Sequence, residues 1–309
     1  MKNCLIAITG PTASGKTRLA IELAKKIDAE IISCDSRQIY REFDIATAKP
    51  SLEEQENIPH HLFNIISPTE TFSASDFNKI AQKKIEEIWA RNKNVVIVGG
   101  TGFYFRILLE GLTLTNVQPN EELRSELQKI AENEGKEAVF KILEELDIEA
   151  SKKIHYNNLD KVIRAIEICK TLNMPMSEAG QEYNPKYNVL WVGLDFKNRQ
   201  KLYDRINLRV DEMLKNGLEK EAKSLFKKYG KIASLMGTIG YQEFEPYFNN
   251  EVSYEEMVEK IKQNTRHYAK RQLTWFRANK KMNWFFSDEQ NFEEILQNVL
   301  SLYKLSCKV

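Results

Sequence analysis

Apolar residues in this chain occur in two arrangements that alternate along it: short continuous blocks, and longer stretches in which they recur at helical spacing. A continuous block ending in turn residues reads as a strand buried on both faces, and the recurring pattern as one face of a helix. Residues 4–9 (CLIAIT) form the first block, and after a glycine-containing turn Leu19, Leu23 and Ile27 mark the first helix. Residues 30–34 predict a second strand ending at Asp35. Residues 94–98 predict a third, ending at Gly99 and Gly100, behind an amphipathic helix over 75–92. Further short strands are expected at 189–195 (VLWVGLD) and 282–286 (MNWFF). Strands alternating with helices predict an α/β fold built on a parallel sheet.

Between the third and fourth of these strands the pattern changes. Residues 121–172 are charged and helix-forming, with Leu123, Leu127, Ile130, Leu143 and Leu146 as core-facing positions, which predicts an inserted helical domain. Pro119, Pro175 and Pro185 supply its joints. The expected division is a core from 1–115 and 186–309 and an insert over 116–185. From 198 to 281 the pattern is helical again, with Leu202, Ile206, Val210, Met213 and Leu214 on one buried face.

Composition adds limits. At 309 residues there is room for about two domains. A 42% hydrophobic content argues against disorder over most of the length. Lys and Arg number 45 against 44 Asp and Glu, so a polyanion would have to be held by a local concentration of positive charge. Residues 266–281 supply one: Arg266, His267, Lys270, Arg271, Arg277, Lys280 and Lys281, with no acid and with Tyr268, Trp275 and Phe276 interleaved. Cations for phosphates and rings for unpaired bases are how RNA loops are gripped. Cys4, Cys34, Cys169 and Cys307 lack the close spacing of a metal or dithiol site and read as free thiols in a reducing compartment. No apolar run is long enough for a membrane span, and the one at the N-terminus is too short for a signal peptide. A soluble, cytoplasmic protein that does not contact membrane is expected.

The sharpest chemical signal is G-x-x-x-x-G-K-[ST], met by Gly10, Pro11, Thr12, Ala13, Ser14, Gly15, Lys16 and Thr17 between a strand and a helix. Such a loop turns backbone N–H groups toward a polyphosphate, Lys16 adds a point charge, and the Thr17 hydroxyl can ligate Mg²⁺. Ligands of open α/β sheets lie at the carboxyl ends of the strands. There Asp35 could act as a general base, Gln38 could pair with an adenine edge, and Thr101 could donate to a phosphate oxygen. The third strand ends in glycines where a motor ATPase would carry an acid. Arg205 and Arg209, four residues apart on one helix face, could both reach a diphosphate, with surface salt bridges as the alternative. These elements predict a P-loop NTPase-like parallel sheet flanked by helices, with an inserted helical domain and a helical C-terminal RNA-binding part. A small-molecule P-loop kinase and a non-catalytic RNA-binding module are the competing readings.

In order along the chain, GPTASGKT, DSRQIY, DIATAKP, PHHLF, FSASDF, VVIVGGTGFY, RINLRVDEML, IGYQE and KRQLTWFR resemble the bacterial tRNA dimethylallyltransferases, the tRNA isopentenyltransferase family. The resemblance implies transfer of a dimethylallyl group from dimethylallyl diphosphate to N6 of the adenosine immediately 3′ of the anticodon, with Mg²⁺ as cofactor, by a monomer. It implies catalytic roles for Asp35 as base and for Thr17 and Arg209 at the diphosphate. It implies that residues 10–17 and Thr101 bind the diphosphate, with Thr17 on the metal. It also implies that Asp35, Ser36, Arg37, Gln38, Thr101, Arg164, Lys270, Arg271, Gln272, Trp275 and Arg277 contact tRNA. Two positions depart from the pattern. Lys161 stands where Arg is usual, replacing a fork with a point charge, so Arg164 is the better expected RNA contact. Phe103 replaces the usual Leu.

Overall fold

The computed structural model describes residues 4–113, 117–179 and 182–307. They fall into two compact units, Met1–Glu110 with Pro185–Val309, and Gly111–Asn184. The first unit carries a six-stranded, wholly parallel sheet: β1 (Cys4–Thr9), β2 (Ala29–Ser33), β3 (His60–His61), β4 (Asn94–Val98), β5 (Asn188–Asp195) and β6 (Asn283–Phe286), in the order β3-β2-β4-β1-β5-β6. This is the P-loop NTPase-like sheet expected, with β3 as an addition. Two histidines pairing with Ile31 and Ile32 at the sheet edge have no periodicity to reveal them.

The helices, in chain order, are α1 (Lys16–Ile27), α2 (Ala74–Ala90) and α3 (Gly102–Leu109) in the first unit, then α4 (Glu121–Glu134), α5 (Lys136–Leu146), α6 (Ile148–Ser151) and α7 (Leu159–Leu172) in the second. The first unit resumes with α8 (Arg199–Lys215), α9 (Leu218–Tyr229), α10 (Ala233–Met236), α11 (Phe244–Phe248), α12 (Tyr254–Arg277) and α13 (Phe292–Cys307). Side chains alternate across a strand, and β1 shows the result. Ile6 and Ile8 pack with Leu19 and Leu23 of α1 and with Ile295 and Val299 of α13. Leu5 and Ala7 face the other way, onto Phe77, Ile85 and Ile88 of α2 and Tyr104, Phe105 and Leu108 of α3. A strand covered on both faces must be apolar throughout, which is why the block 4–9 is legible in the sequence. The start of α2 is set by a capping box between Ser73 and Asp76.

Helices α8 to α12 form a further core with residues 39–46, centred on the fully buried Phe43, Tyr241 and Phe244. The second unit has its own core of Leu127, Val139, Leu143, Val162 and Ile166, with Leu123, Ile130 and Leu146 packed against it. Its incoming and outgoing segments pair: Asn184 N–H donates to Gly111 C=O at 2.9 Å, and Thr113 N–H to Glu182 C=O at 2.9 Å. Its buried Glu167 accepts a fork from Arg124 at 2.9 and 3.0 Å, the Asn120 N–H at 2.6 Å, and a bond from Arg164. Burial acts to raise the Glu167 pKa, but these donors outweigh it and hold the group down to about 2.

The cysteine expectation needs correction. Cys34 and Cys169 are free and buried, whereas Cys4 is disulfide-bonded; the Cys307 side chain lies outside the described residues. Spacing along the chain could not show this, because a disulfide depends on proximity in space. Among the described residues no helix is long and apolar enough to cross a membrane.

Candidate active site

The sheet order makes β2, β4 and β1 neighbours, so the loops leaving their carboxyl ends meet. The loop after β1 curls through three residues with positive φ: Gly10 at 144°, Ala13 at 63° and Gly15 at 92°. Holding alanine in the left-handed region costs roughly 1–2 kcal/mol, and the turn it makes aims successive N–H groups at one point. Gly15 is the N-cap of α1 and offers no side-chain cap, and no acid occupies the first turn. The unsatisfied N–H groups and the positive dipole end are thus left for an external anion.

Lys16 is drawn back over this loop, its Nζ 3.2 Å from Pro11 C=O. Burial, assisted by the Arg209 charge and opposed by Asp35, pulls its pKa down to about 8. Arg209 is also lowered by burial, against the opposing carboxylates of Glu54, Glu212 and Asp35. Arg205 and Arg209 both line the groove beside Lys16 and Thr17. Arg205 donates Nε to Ala13 C=O at 3.0 Å and holds the outside of the loop, while Arg209 faces the Lys16 side.

In the loop after β2, Asp35 Oδ1 accepts the N–H groups of Arg37 at 2.8 Å and Gln38 at 3.3 Å, an Asx turn that leaves Oδ2 without a hydrogen bond among the described residues. The Gln38 amide is held at both ends. Its Oε1 accepts from Ser33 Oγ at 2.8 Å, and its Nε2 donates to Thr47 C=O at 3.0 Å and Ala48 C=O at 3.3 Å. Thr101, expected at the diphosphate, ties the loops together: its Oγ1 accepts the Ser36 N–H at 2.9 Å and lies 3.2 Å from Ser36 Oγ.

The glycines after β4 have a steric reason. A Cβ on Gly99 would stand 2.1 Å from Cys34 C=O, and one on Gly100 would stand 2.1 Å from Gln272 Nε2. Gln272 is the main correction among the expected tRNA contacts. It is buried, accepting the Thr12 N–H at 2.8 Å and donating to Gly100 C=O at 3.1 Å, so it bridges the phosphate loop and the β4 loop. A helix buries one side, and the charged motif KRQLTWFR hides that Gln272 lies on it. Lys270, Arg271 and Trp275 are exposed. Arg277 is exposed too, and at the same time donates to Asp195 at 2.8 Å, a buried carboxylate that also takes Arg199 at 2.9 and 3.3 Å, which ties the end of α12 to β5. In the second unit Arg164 is likewise engaged, by Glu167 and by Val117 C=O at 2.8 Å, while Lys161 is exposed. Arg164 is half-buried, so part of its side chain still reaches the surface beside the exposed Lys161.

These loops enclose a cavity of about 380 Å³ lined by Lys16, Thr17, Asp35, Gln38, Arg209 and Tyr268. A larger groove of about 1130 Å³ shares Lys16, Thr17 and Arg209 with it. Two further residues that the sequence does not single out as cavity groups line the cavity: Tyr268 stands in the sequence only among the rings of the basic segment, and His60 only within PHHLF. Tyr268 sits one turn before Gln272 on the same face of α12, and burial next to Asp35 raises its hydroxyl pKa. His60 stacks on Phe63 with centroids 5.7 Å apart and has Nδ1 2.7 Å from Ile58 C=O, while its buried Nε2 has no partner. The periodicity of α12 could have pointed to Tyr268; the two-residue edge strand offers no signal for His60.

A family model described as IPP transferase matches residues 38–279, well over half of the chain. The chain belongs to the IPP transferase family. A tRNA dimethylallyltransferase of Caldanaerobacter subterraneus subsp. tengcongensis is 43% identical over 301 residues, 96% of each chain. The full-length tRNA isopentenylpyrophosphate transferase of Bacillus halodurans superposes with a TM-score of 0.76 at 38% identity, covering 99% of this chain and 97% of that one. A eukaryotic dimethylallyltransferase acting on tRNA superposes with a TM-score of 0.77 at 27% identity, covering 99% of this chain and 77% of the other. The IPP transferase match begins at Gln38, so the phosphate loop lies outside it and stands as independent evidence.

Proposed function

We propose that the chain transfers the dimethylallyl group of dimethylallyl diphosphate to N6 of the adenosine immediately 3′ of the anticodon in tRNA, releasing diphosphate. One observation carries the reading: a single cavity sets a polyphosphate cradle, Lys16 and Thr17, beside a carboxylate and an amide, Asp35 and Gln38. The N6 lone pair of adenine is delocalised into its ring and makes a poor nucleophile. Help is needed at both ends. The loop N–H groups, Lys16 and Arg209 stabilise the departing diphosphate, while the allylic carbon carries developing positive charge. Asp35 Oδ2 takes the N6 proton as the carbon–nitrogen bond forms. Since N6 is hidden in a stacked loop, the adenosine is extruded into the cavity.

Mg²⁺ fits the donors present: the Thr17 hydroxyl and the Asp35 carboxylate, both lining the cavity, are hard oxygen donors that would hold it. When bound it supplies charge neutralisation to the leaving group.

The glycines at the β4 end weigh against a motor ATPase but not against a small kinase, whose carboxylate can come from another strand; the kinase alternative is disfavoured by the IPP transferase family match. The test is incubation with radiolabelled dimethylallyl diphosphate, Mg²⁺ and total tRNA. Label in RNA and release of diphosphate only with both substrates are expected; brisk ATP consumption without RNA labelling would overturn the reading.

A further inference from the structure

The loop that holds the Gln38 amide is itself held from a distant helix. Glu221 of α9 accepts the backbone N–H groups of Asp44 at 3.3 Å, Ile45 at 3.0 Å and Ala46 at 3.3 Å. The Tyr241 hydroxyl, on a fully buried side chain, donates to the same carboxylate at 2.5 Å. Gly240 lets the two segments close up, because a Cβ there would lie 3.0 Å from Ala46 Cβ. Lys49 closes the far end of the loop, donating to Tyr40 C=O at 2.5 Å and to Asp44 at 2.8 Å. A carboxylate taking several N–H groups from one turn fixes that turn as an N-cap fixes a helix start.

The carbonyls of Thr47 and Ala48 are thereby fixed against the Gln38 amide. A carbonyl oxygen can only accept, so it faces Nε2 and sends Oε1 toward Ser33; the flipped amide would set oxygen against oxygen. An amide reads adenine bidentately only in one orientation, Oε1 taking an N6 hydrogen and Nε2 donating to N7; the bond to Thr47 C=O keeps that orientation, and the hydrogen for N7 is the one released from the longer contact to Ala48 C=O.

We infer that Glu221, oriented by Tyr241, is a positioning residue that sets adenine selectivity by locking the turn at 44–48 and, through it, the orientation of the Gln38 amide. This rests on the proposed reading of Gln38 as the group that meets the purine. Neither Glu221 nor Tyr241 lines the cavity that holds Gln38, so their effect must pass through the turn.

The test measures kcat/KM on two anticodon stem-loops, one with adenosine at the target position and one with 7-deazaadenosine, which lacks the N7 acceptor. The wild type is expected to lose about tenfold on the deaza substrate, the worth of one base-edge hydrogen bond. In Glu221→Gln, whose amide sets an N–H against the loop N–H groups, and in Tyr241→Phe, activity on adenosine falls and the deaza penalty shrinks to less than about twofold, as expected for uncoupled groups. Tyr241→Phe keeps the buried ring, and thermal unfolding identifies any variant that has lost its fold. A full deaza penalty in folded variants overturns the role of Glu221 and leaves Gln38 standing. A wild type indifferent to N7 overturns the reading of Gln38 and this inference with it.

Discussion

On the phosphate side of the cavity, the residues from Gly10 to Thr17 are contiguous, and their geometry comes from their own torsions and the helix they start. On the other side, Asp35 and Gln38 are contiguous only with each other. Gln38 is held by Ser33 and the turn at 44–48, and that turn is held by Glu221, 175 to 177 positions away. The two halves meet at Gln272, whose amide bonds Thr12 on one side and Gly100 on the other. A cradle for an anion needs only backbone donors, which any residue supplies. A group that must select one base needs a side chain fixed in direction, and fixing it draws on several elements.

Four changes break or sharpen this comparison. The largest effect is expected from Asp35→Ala: loss of a general base should lower turnover by about 10²–10⁴-fold while tRNA affinity stays nearly unchanged. Single-turnover rates and tRNA titration check this; equal losses in both would move Asp35 from chemistry to binding. Next is Gln272→Leu, which orphans the Thr12 N–H and the Gly100 C=O at a cost of about 1–3 kcal/mol each. A urea midpoint equal to wild type would show that the two sides are not tied there.

The third change is in pH. The usual lysine value is 10.5 and Lys16 is pulled down to about 8, so between these values the folded chain binds fewer protons than the unfolded one. The Lys16 contribution to stability therefore rises with pH across that window. Bound diphosphate favours the charged amine, so its affinity should fall over the same range. Calorimetric titration of inorganic diphosphate at about pH 7 and about pH 9 reads the slope, which Lys16→Met should flatten. The smallest effect is expected at the rim. Lys270→Ala with Arg271→Ala should reduce the slope of log affinity against log salt for tRNA by about one for each phosphate no longer neutralised. An unchanged slope would retire that surface.

How much of this is legible in the sequence varies residue by residue. Residues 4–9 and 94–98 stand out because strands covered on both faces admit only apolar side chains. The two-residue β3 does not, and His60 is hidden with it. The charge of KRQLTWFR is visible, but its division into an inward Gln272 and an exposed face of Lys270, Arg271 and Arg277, the last also bonded to Asp195, is not. Arg164 carries a similar ambiguity, since its partner Glu167 is one turn along α7 and only the fold shows that Glu167 is buried while Arg164 stays half-exposed.

The sequence by itself determined the alternation of strands and helices, the phosphate loop and the presence of Asp35 at a strand end, because each follows from torsions and apolar spacing within a short stretch of chain. Only the tertiary structure decided which polar side chains are engaged: Thr101 on Ser36, Arg205 on Ala13, Gln272 between two loops, Glu221 on the turn at 44–46. Hydrogen-bonding groups of one type are interchangeable along a chain, and their partners are chosen by distance and burial, which exist only once the chain has folded.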